Sequence, residues 1–372
     1  MKFCDLCKQL EATLDEHLKD YYVSTECISN LKSSNKSQSI IVGYKGSGKT
    51  TTFRYLTEFE PTDIVIAIDP NNFSLELPKT NLSWQTCSRQ FENDLILESL
   101  YAIKSNKTLF EKLPRGLQKK IKKNLPNNID KILKVFKRGG GASVLGCGFN
   151  LNPATLEVSP GLHLLEDYKS ALETLQETTE KDIKIRIVVD NPEHVFSSSF
   201  DLDIGLLGGF LLAATKMNIL IKNLNVTVLI KSHVFDPIYR IVDDLHNYPD
   251  NISHLFWTPQ ELISMVDRRL ETSEDSWETI FYNGKETGEK LIEYMSHNIR
   301  NGPRDILRWL LEILKEYEGK NINKTLSNNV KAKMGKDSFD ALVTAHSLVY
   351  EKLDDVIKAI FRENGDKIFT KT

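Results

Sequence analysis

An eight-residue segment near the amino terminus constrains this chain more than any other feature. Residues 43–50 read Gly-Tyr-Lys-Gly-Ser-Gly-Lys-Thr and match the pattern G-x-x-x-x-G-K-[ST] in full. The segment follows an apolar run at 40–42 and opens a helical pattern, so it joins a strand to a helix. Glycines let the backbone of such a loop curl until successive N–H groups face phosphate oxygens, and the helix start adds its positive dipole. The sequence therefore predicts a phosphate-binding loop.

The side chains at the end of this loop predict how ATP would be held. Lys49 is expected to reach the β- and γ-phosphates, and the Thr50 hydroxyl to bind Mg²⁺. A chance glycine-rich turn is the alternative, but the strand, the loop, the Lys-Thr pair and the helix all agree against it. The predicted nucleotide-binding residues are Gly43, Tyr44, Lys45, Gly46, Ser47, Gly48, Lys49, Thr50 and Thr51.

A magnesium site of this kind also needs an acidic residue at the end of another strand. The run at 187–190 reads Ile-Val-Val-Asp, four residues that predict a buried strand ending in a carboxylate. Asp190 is therefore the predicted second metal residue beside Thr50, because carboxylate and hydroxyl oxygens suit Mg²⁺. The alternative is an Asp that caps the strand in the turn before Pro192.

The residue that would activate water is less obvious from the sequence. Many such ATPases place a Glu directly after the metal-binding Asp, whereas this chain has Asn191 there. Glu193 lies three residues after Asp190 and is the predicted general base. The alternative is that Asn191 leaves hydrolysis slow and the protein acts as a nucleotide switch.

The hydrophobic pattern predicts an α/β fold with a mostly parallel sheet. Strand-like runs at 38–42, 63–69, 183–190, 225–232 and 254–257 alternate with helical patterns, as in βαβ units. The remainder reads as helix, at 259–271, 287–297, 303–318 and 339–363. We therefore expect a P-loop NTPase core with a long helical and hairpin insertion and a C-terminal α-helical lobe.

Boundaries follow from the same pattern. Residues 1–30 predict an amphipathic helix with leucines every four residues, and 31–258 the core. The insertion is expected at about 80–160, with a hairpin at 142–158, and the helical lobe at 259–372. The apolar run at 204–214 is too short to span a membrane, which takes about 20 residues, so it predicts a buried helix.

Charge is spread unevenly along the chain. The 372 residues carry a net charge of −3, yet the stretch 104–138 holds ten Lys and two Arg against two acidic residues. Clustered lysines can bind the phosphate backbone of nucleic acid, so Lys104–Arg138 is a candidate contact. Docking to an acidic partner, or a plain amphipathic helix with a lysine-rich face, are the alternatives.

Cysteine usage and the amino terminus predict a cytoplasmic protein. The chain has five scattered cysteines, too few for a disulfide framework, and its first residues lack the apolar core of a signal peptide. Cys4 and Cys7 have the spacing of zinc ligands, but half a tetrahedral site favours two ordinary thiols.

Four segments together resemble the AAA+/STAND division of P-loop ATPases, and within it bacterial ATPases linked to phage defence. They are GYKGSGKT, IRIVVDNPE, NVTVLIKSHVFDPIYRI and NGPRDILRWL, in family order over about 38–315. The resemblance implies that Lys231, with Ser232 and His233, occupies the sensor-1 position near the γ-phosphate. It implies that Arg304, at a helix start, occupies the sensor-2 position; a surface arginine paired with Glu312 or Asp305 is the alternative. Missing features are an acidic pair after the metal strand and a sensor-1 Asn.

The resemblance also implies assembly into a homo-oligomer and an effector protein as partner. Arg268 and Arg269 are candidates for an arginine finger, Arg240 a weaker one; a solvated pair stabilising the helix end is the alternative. The sequence thus favours an ATP- and Mg²⁺-dependent switch or motor, with anti-phage defence as its suggested role. A non-hydrolysing scaffold, a nucleic-acid-sensing switch and a P-loop phosphotransferase are the alternatives.

Overall fold

The computed structural model describes most of the chain, with gaps. The described residues are 2–10, 12, 15–33, 39–59, 62–68, 83–125, 163–194, 200–281, 283–296, 302–316 and 355. The hairpin predicted at 142–158 lies outside them, as does the helix predicted at 339–363 except for Asp355. The end of the basic stretch, 126–138, is also outside them.

A five-stranded parallel sheet forms the centre of the fold. The strands are β1 (Ile40–Gly43), β2 (Ile64–Ile68), β3 (Ile185–Asp190), β4 (Leu224–Lys231) and β5 (Ile252–His254). Their order in the sheet is β2-β3-β4-β1-β5, and every pair is parallel. The predicted α/β class and parallel sheet are therefore confirmed.

Helices precede, connect and follow the strands in the chain. They are α1 (Phe3–Lys8), α2 (Glu26–Ser33), α3 (Lys49–Arg54), α4 (Trp84–Ser105), α5 (Lys107–Lys112), α6 (Arg115–Asn124), α7 (His163–Thr179), α8 (Phe200–Leu220), α9 (Ser232–Ile241), α10 (Pro259–Thr272), α11 (Trp277–Ile280), α12 (Lys285–Ser296) and α13 (Pro303–Glu316). A π-helical turn, Tyr55–Phe59, continues α3.

Both faces of the sheet are buried, which explains the continuous apolar runs that mark its strands. Successive side chains of a strand point to opposite faces. Ile40 and Val42 of β1 join the larger apolar cluster, which includes residues of α4 and α8. Ile41 joins a smaller cluster that contains Leu56 and Leu255. A strand buried on both sides has no polar face to alternate.

The chain divides into two compact units. The larger is Glu11–Arg268 with Asn301–Arg304, and it contains the whole sheet. The smaller comprises Met1–Leu10, Arg269–Arg300 and Asp305–Thr372. Within the smaller unit, the amide of Phe3 donates to a carboxylate oxygen of Asp275 at 2.7 Å.

The amino-terminal residues differ from the single amphipathic helix expected for 1–30. Two short helices, α1 and α2, are separated by non-helical turns. The Arg54 side chain donates to backbone carbonyl oxygens that lie between these two helices, those of Ala12 and Asp15, at 2.6 and 2.7 Å. Because these carbonyls accept hydrogen bonds from a distant arginine, they do not accept the hydrogen bonds of a continuous helix. Tertiary contacts therefore prevent the single helix that the leucine spacing predicts.

The fifth strand lies two residues earlier than its predicted position of 254–257. After His254 the Leu255 amide still donates to the carbonyl of Val42, at 2.7 Å, and the chain then turns. Beyond Leu255 the apolar pattern no longer reflects sheet pairing, since Phe256 is exposed and the Trp257 indole donates to the carbonyl of Ser47. The apolar pattern alone therefore placed the strand too late.

Within the described residues, none of the helices is both long and apolar enough to cross a membrane. The apolar run at 204–214 lies inside α8, where it is buried as predicted.

A close approach between α8 and α4 provides a test of the packing. A Cβ added at Gly209 would lie 2.5 Å from the Cβ of Cys87 and 2.8 Å from the backbone oxygen of Trp84. Gly209→Ala should therefore lower the free energy of unfolding by about 1–3 kcal/mol, because helix backbones must move apart. Urea unfolding measures this.

Gly116 supplies the matched control for that substitution. A Cβ at Gly116 meets nothing within 4 Å, and the residue lies in helix α6. Gly116→Ala should raise the free energy of unfolding by up to about 1 kcal/mol, since alanine has the higher helix propensity. Equal stability of the two variants would contradict the close α4–α8 contact.

Candidate nucleotide site

Three strand ends meet at one edge of the sheet. Gly43 at the end of β1 lies opposite Lys231 at the end of β4. Asp190 at the end of β3 lies opposite Leu229 of β4, on the other side of the same strand. Ligands of open α/β sheets bind outside the carboxyl ends of the strands. The sheet order therefore brings the phosphate loop, Lys231 and Asp190 to one place.

The loop between β1 and α3 has a backbone that requires its glycines. Gly46 and Gly48 have φ values of +86° and +95°, which residues with a side chain rarely adopt. At Gly43 a Cβ would lie 2.4 Å from the hydroxyl oxygen of Ser47. The three glycines of the predicted motif thus have separate physical reasons, two conformational and one steric.

The remaining predicted loop residues differ in exposure. Ser47 is buried, and Thr50 and Thr51 are partly buried. Tyr44 and Lys45 are exposed at the tip of the loop. The side chains of Tyr44 and Lys45 therefore face solvent, whereas that of Lys49 is buried.

Lys49 is buried beneath the loop. Its ammonium group donates to the carbonyl oxygens of Gly43 at 2.9 Å and Tyr44 at 2.8 Å. Burial lowers the pKa of Lys49 to about 8, and the carboxylates of Asp190 and Glu193 act in the opposite direction. A depressed pKa is expected where an ammonium group is desolvated before its anionic ligand arrives.

Thr50 and Asp190 lie side by side, as the two-part metal site predicts. The Thr50 hydroxyl donates to a carboxylate oxygen of Asp190 at 2.8 Å, although the two residues are 140 positions apart. Asp190 is 6% exposed. A hydroxyl and a buried carboxylate at this distance are the hard oxygen ligands that Mg²⁺ takes together with phosphate oxygens and water. The donor set therefore fits a magnesium ion.

Glu193 and Lys231, both singled out from the sequence, form an ion pair. The Lys231 ammonium lies 3.2 Å from a carboxylate oxygen of Glu193, and both side chains are largely buried. Glu193 belongs to a short 3₁₀ turn, Pro192–His194, directly after β3. Asn191, which starts this turn, has a φ of +49°, and its amide donates to the carbonyl of Leu229 at 3.0 Å. This turn directs the chain so that Glu193 lies beside β4.

Arg304 lies against the phosphate loop. A Cβ at Gly46 would be 3.2 Å from the Cβ of Arg304 and 3.5 Å from its Cδ. The Arg304 amide also approaches the carbonyl of Gly46, at 3.5 Å. The sequence order offers no hint of this contact beyond the motif, since more than 250 residues separate Arg304 from the loop.

The charges around Lys49 are mixed, with an excess of cations. Asp190 and Glu193 stabilise its charged form, whereas Lys231 and Arg304 oppose it. With Lys49 itself, three cationic and two acidic side chains thus contribute to the charge of this site. Such an arrangement favours a polyanion, because the phosphates of a nucleotide relieve the repulsion among the cations.

Trp257, a buried residue, also belongs to this site. Its indole N–H donates to the carbonyl oxygen of Ser47 at 2.7 Å. Its ring lies 3.6 Å from the position of a Cβ on Gly48. The signal that sequence reading missed is the place of Trp257 just beyond the end of β5, the strand next to β1.

The candidate arginine fingers have structural contacts. Arg269 is 5% exposed, and its guanidinium donates to the carbonyl of Leu6 at 3.0 Å. A side chain buried to this degree cannot reach a neighbouring subunit. Arg269 is also not solvated, as the alternative of an exposed pair at the helix end requires. Arg268 is exposed but donates to the carbonyl of Tyr22 at 2.5 Å. Arg240 lies in the last turn of α9.

Helix α6 separates the apolar and basic residues of the lysine-rich stretch. Leu117 and Ile121 are buried in the main apolar cluster. On the opposite side, four exposed cations form what we call the basic face of α6: Arg115, Lys119, Lys122 and Lys123. At 3.6 residues per turn they fall within about 100° of the helix circumference and extend over about 12 Å.

Metal-binding clusters of three or more His, Cys, Asp or Glu side chains are absent from the described residues. Cys4 and Cys7 lie in α1, and burial raises the pKa of the Cys7 thiol to about 12.

Comparisons with solved structures find only distant likenesses to this chain. A Walker-type ATPase of Pyrococcus abyssi is 14% identical, with a TM-score of 0.37, over 89% of this chain and 74% of that chain. The Aeropyrum pernix ORC1 protein in complex with DNA is 12% identical, with a TM-score of 0.38, over 98% and 77%. The A. pernix ORC2 protein, in ADPNP-ADP complexes, is 12% identical, with a TM-score of 0.34, over 88% and 67%. No family model and no curated protein matches the sequence. The parallel sheet and glycine loop of the chain itself make its larger unit a P-loop NTPase core.

Proposed function

We propose that this protein binds ATP with Mg²⁺ and hydrolyses it. The observation that carries the proposal is the hydrogen bond between Thr50 and Asp190 directly beside the buried Lys49. Two residues 140 positions apart meet at the strand ends where the motif predicts a metal-bound triphosphate. The ion pair of Glu193 with Lys231 and the contact of Arg304 with Gly46 complete the ring of charged groups.

Each residue has a role that its position supports. The backbone of the loop and Lys49 bind the phosphates, and Arg304 adds a second cation beside the loop. Thr50 and Asp190 would hold Mg²⁺, which would supply charge neutralisation to the phosphates. Glu193 orients and deprotonates the attacking water, while Lys231 fixes the position of that carboxylate.

The wider role that we propose is a nucleotide-dependent switch or motor acting on a partner effector. Assembly into a homo-oligomer and a setting in bacterial anti-phage defence come from the family resemblance of the motifs.

Turnover measurements test the proposal and its rivals. Lys49→Ala should abolish detectable ATP binding, because the buried ammonium is lost from beneath the loop. Glu193→Gln should retain ATP binding and lower turnover by about 10²–10⁴-fold, the usual contribution of a general base. Lys184→Ala, which removes an exposed lysine before β3, is the control and should match wild type in both assays.

Three other results would each contradict one part of the proposed function. ATP binding without turnover in wild type would favour the scaffold interpretation. Phosphate transfer to an added small acceptor, faster than to water, would favour a phosphotransferase. Wild-type turnover in Glu193→Gln would remove Glu193 from the mechanism. Light scattering with and without ATP would test assembly in the same samples.

The depressed pKa of Lys49 predicts how ATP affinity depends on pH. The charged ammonium binds phosphate, and with a pKa of about 8 the free protein loses that charge as the pH rises through 8. ATP affinity should therefore fall by about tenfold between pH 8 and pH 9.5, and binding should take up a proton in this range. Calorimetry in buffers of different ionisation enthalpy measures the uptake, which should be much smaller at pH 7, where Lys49 is already mostly charged.

A second proposal concerns the basic face of α6. We propose that this face contacts the phosphate backbone of duplex DNA. Among the described residues, no acidic side chain pairs with Arg115, Lys119 or Lys123, whereas the neighbouring Lys120 is paired with Glu177 at 2.6 Å. The length of the face, about 12 Å, equals the width of the B-DNA major groove. The face has no exposed aromatic side chains of its own on which single-stranded bases could stack.

The salt dependence of binding tests this contact. With about four phosphate contacts, the logarithm of the association constant should fall against log[salt] with a slope near −3.6. Lys119→Gln with Lys123→Gln should bring the slope to about −1.8. The matched control is Lys184→Gln with Lys222→Gln, two exposed lysines on the loops before β3 and β4, and it should keep the wild-type slope. Fluorescence anisotropy of a 30-base-pair duplex gives the slopes; binding to anionic vesicles but not to DNA would overturn the proposal.

A further inference from the structure

The segment that follows β5 supports the phosphate loop from one side. Leu255 continues the pairing with β1 through its hydrogen bond to Val42, and its Cβ lies 3.4 Å from the position of a Cβ on Gly43. Two residues later, Trp257 reaches the far end of the loop and is 7% exposed. All of these residues belong to the larger unit.

The hydrogen bond of Trp257 fixes one particular peptide group. The acceptor is the carbonyl oxygen of Ser47, 2.7 Å from the indole nitrogen. In a trans peptide the carbonyl and the next N–H lie in one plane and point in opposite directions. When the indole holds the Ser47 carbonyl on its side, the Gly48 N–H must point away from Trp257.

The Gly48 N–H is available for a ligand. Neither a backbone nor a side-chain acceptor among the described residues takes this N–H, whereas the Ser47 amide is used internally and donates to the carbonyl of Tyr44 at 3.2 Å. The next residue, Lys49, begins the helix, so the Gly48 amide is the first of several N–H groups at a helix start. In phosphate loops, the N–H groups at this position are the donors to phosphate oxygens.

A glycine at this position makes the restraint necessary. Gly48 has a φ of +95° and lacks a side chain, so its flanking peptides rotate more freely than those of other residues. Trp257 restricts this freedom in two ways. Its N–H binds the carbonyl, and its ring covers the space beside the Gly48 Cα, with Pro303 at 3.7 Å on the same position.

We infer that Trp257 is a positioning residue for nucleotide binding: it holds the Ser47–Gly48 peptide so that the Gly48 N–H faces the phosphates. The inference rests on the proposed function, because it names how the same loop is pre-organised. A restrained peptide loses less conformational freedom when the ligand binds, which raises affinity without a contact between the indole and the nucleotide.

The chain offers a matched control. Trp84 also donates its indole N–H to a single acceptor, a carboxylate oxygen of Asp244 at 3.0 Å, in the same unit but outside the loop. Trp257→Phe and Trp84→Phe each remove one indole hydrogen bond and keep an aromatic ring. A purely structural role for both tryptophans predicts that the two variants behave alike.

The experiment compares nucleotide affinity, turnover and stability in wild type and the two variants. Trp257→Phe should raise the Kd for ATP and for inorganic pyrophosphate by about five- to tenfold, the worth of one hydrogen bond. Its kcat should stay within about twofold of wild type, because Asp190 and Glu193 are unchanged. Trp84→Phe should keep the wild-type Kd for both ligands, even where its melting temperature falls as much as that of Trp257→Phe.

The outcomes separate this inference from the proposed function. Wild-type affinity in Trp257→Phe, with ATP binding by the wild type, would overturn the inference alone. An equal loss of affinity in Trp84→Phe would also overturn it, since the effect would then follow stability. A wild type that binds neither ATP nor pyrophosphate would overturn the proposed function, and the inference with it.

Discussion

The placement of β4 between β1 and β3 is the constraint on which the candidate site depends. Parallel pairing aligns the carboxyl ends of the three strands, so the loop after Gly43, the ammonium of Lys231 and the carboxylate of Asp190 share one edge. An antiparallel neighbour would bring an amino-terminal end to that edge and break the arrangement. The buried apolar faces on both sides of the sheet hold this order in place.

The phosphate loop must combine accessible N–H groups with a restrained backbone. Its N–H groups must remain unsatisfied by the protein so that they can receive phosphate, yet an unrestrained glycine loop would pay a large entropic cost on binding. Three neighbours restrain it from outside: Lys49 bonds two of its carbonyls, Trp257 bonds a third, and Arg304 packs on Gly46. These three restraints act on carbonyls and carbons, and they leave the Gly48 N–H available.

Much of this could be predicted from sequence because the strands and the loop carry local signals. Continuous apolar runs located four of the five strands to within about two residues, and the glycine motif located the loop. The fifth strand and the amino-terminal segment could not be predicted well, since pairing of Leu255 with Val42 and capture of carbonyls by Arg54 are long-range contacts. The same holds for Trp257 and for the burial of Arg269. No spacing rule links an indole to a carbonyl 210 residues away.

The ion pair between Glu193 and Lys231 has a consequence for how the sequence can vary over evolutionary time. Both side chains are largely buried, and each offsets the charge of the other in a poorly hydrated place. A neutral replacement of one residue removes this compensation from its partner, so it lowers the stability of the fold more than a change at an exposed position does. Over evolutionary time, paired changes, to two neutral hydrogen-bonding side chains or to exchanged signs, are therefore favoured over single ones.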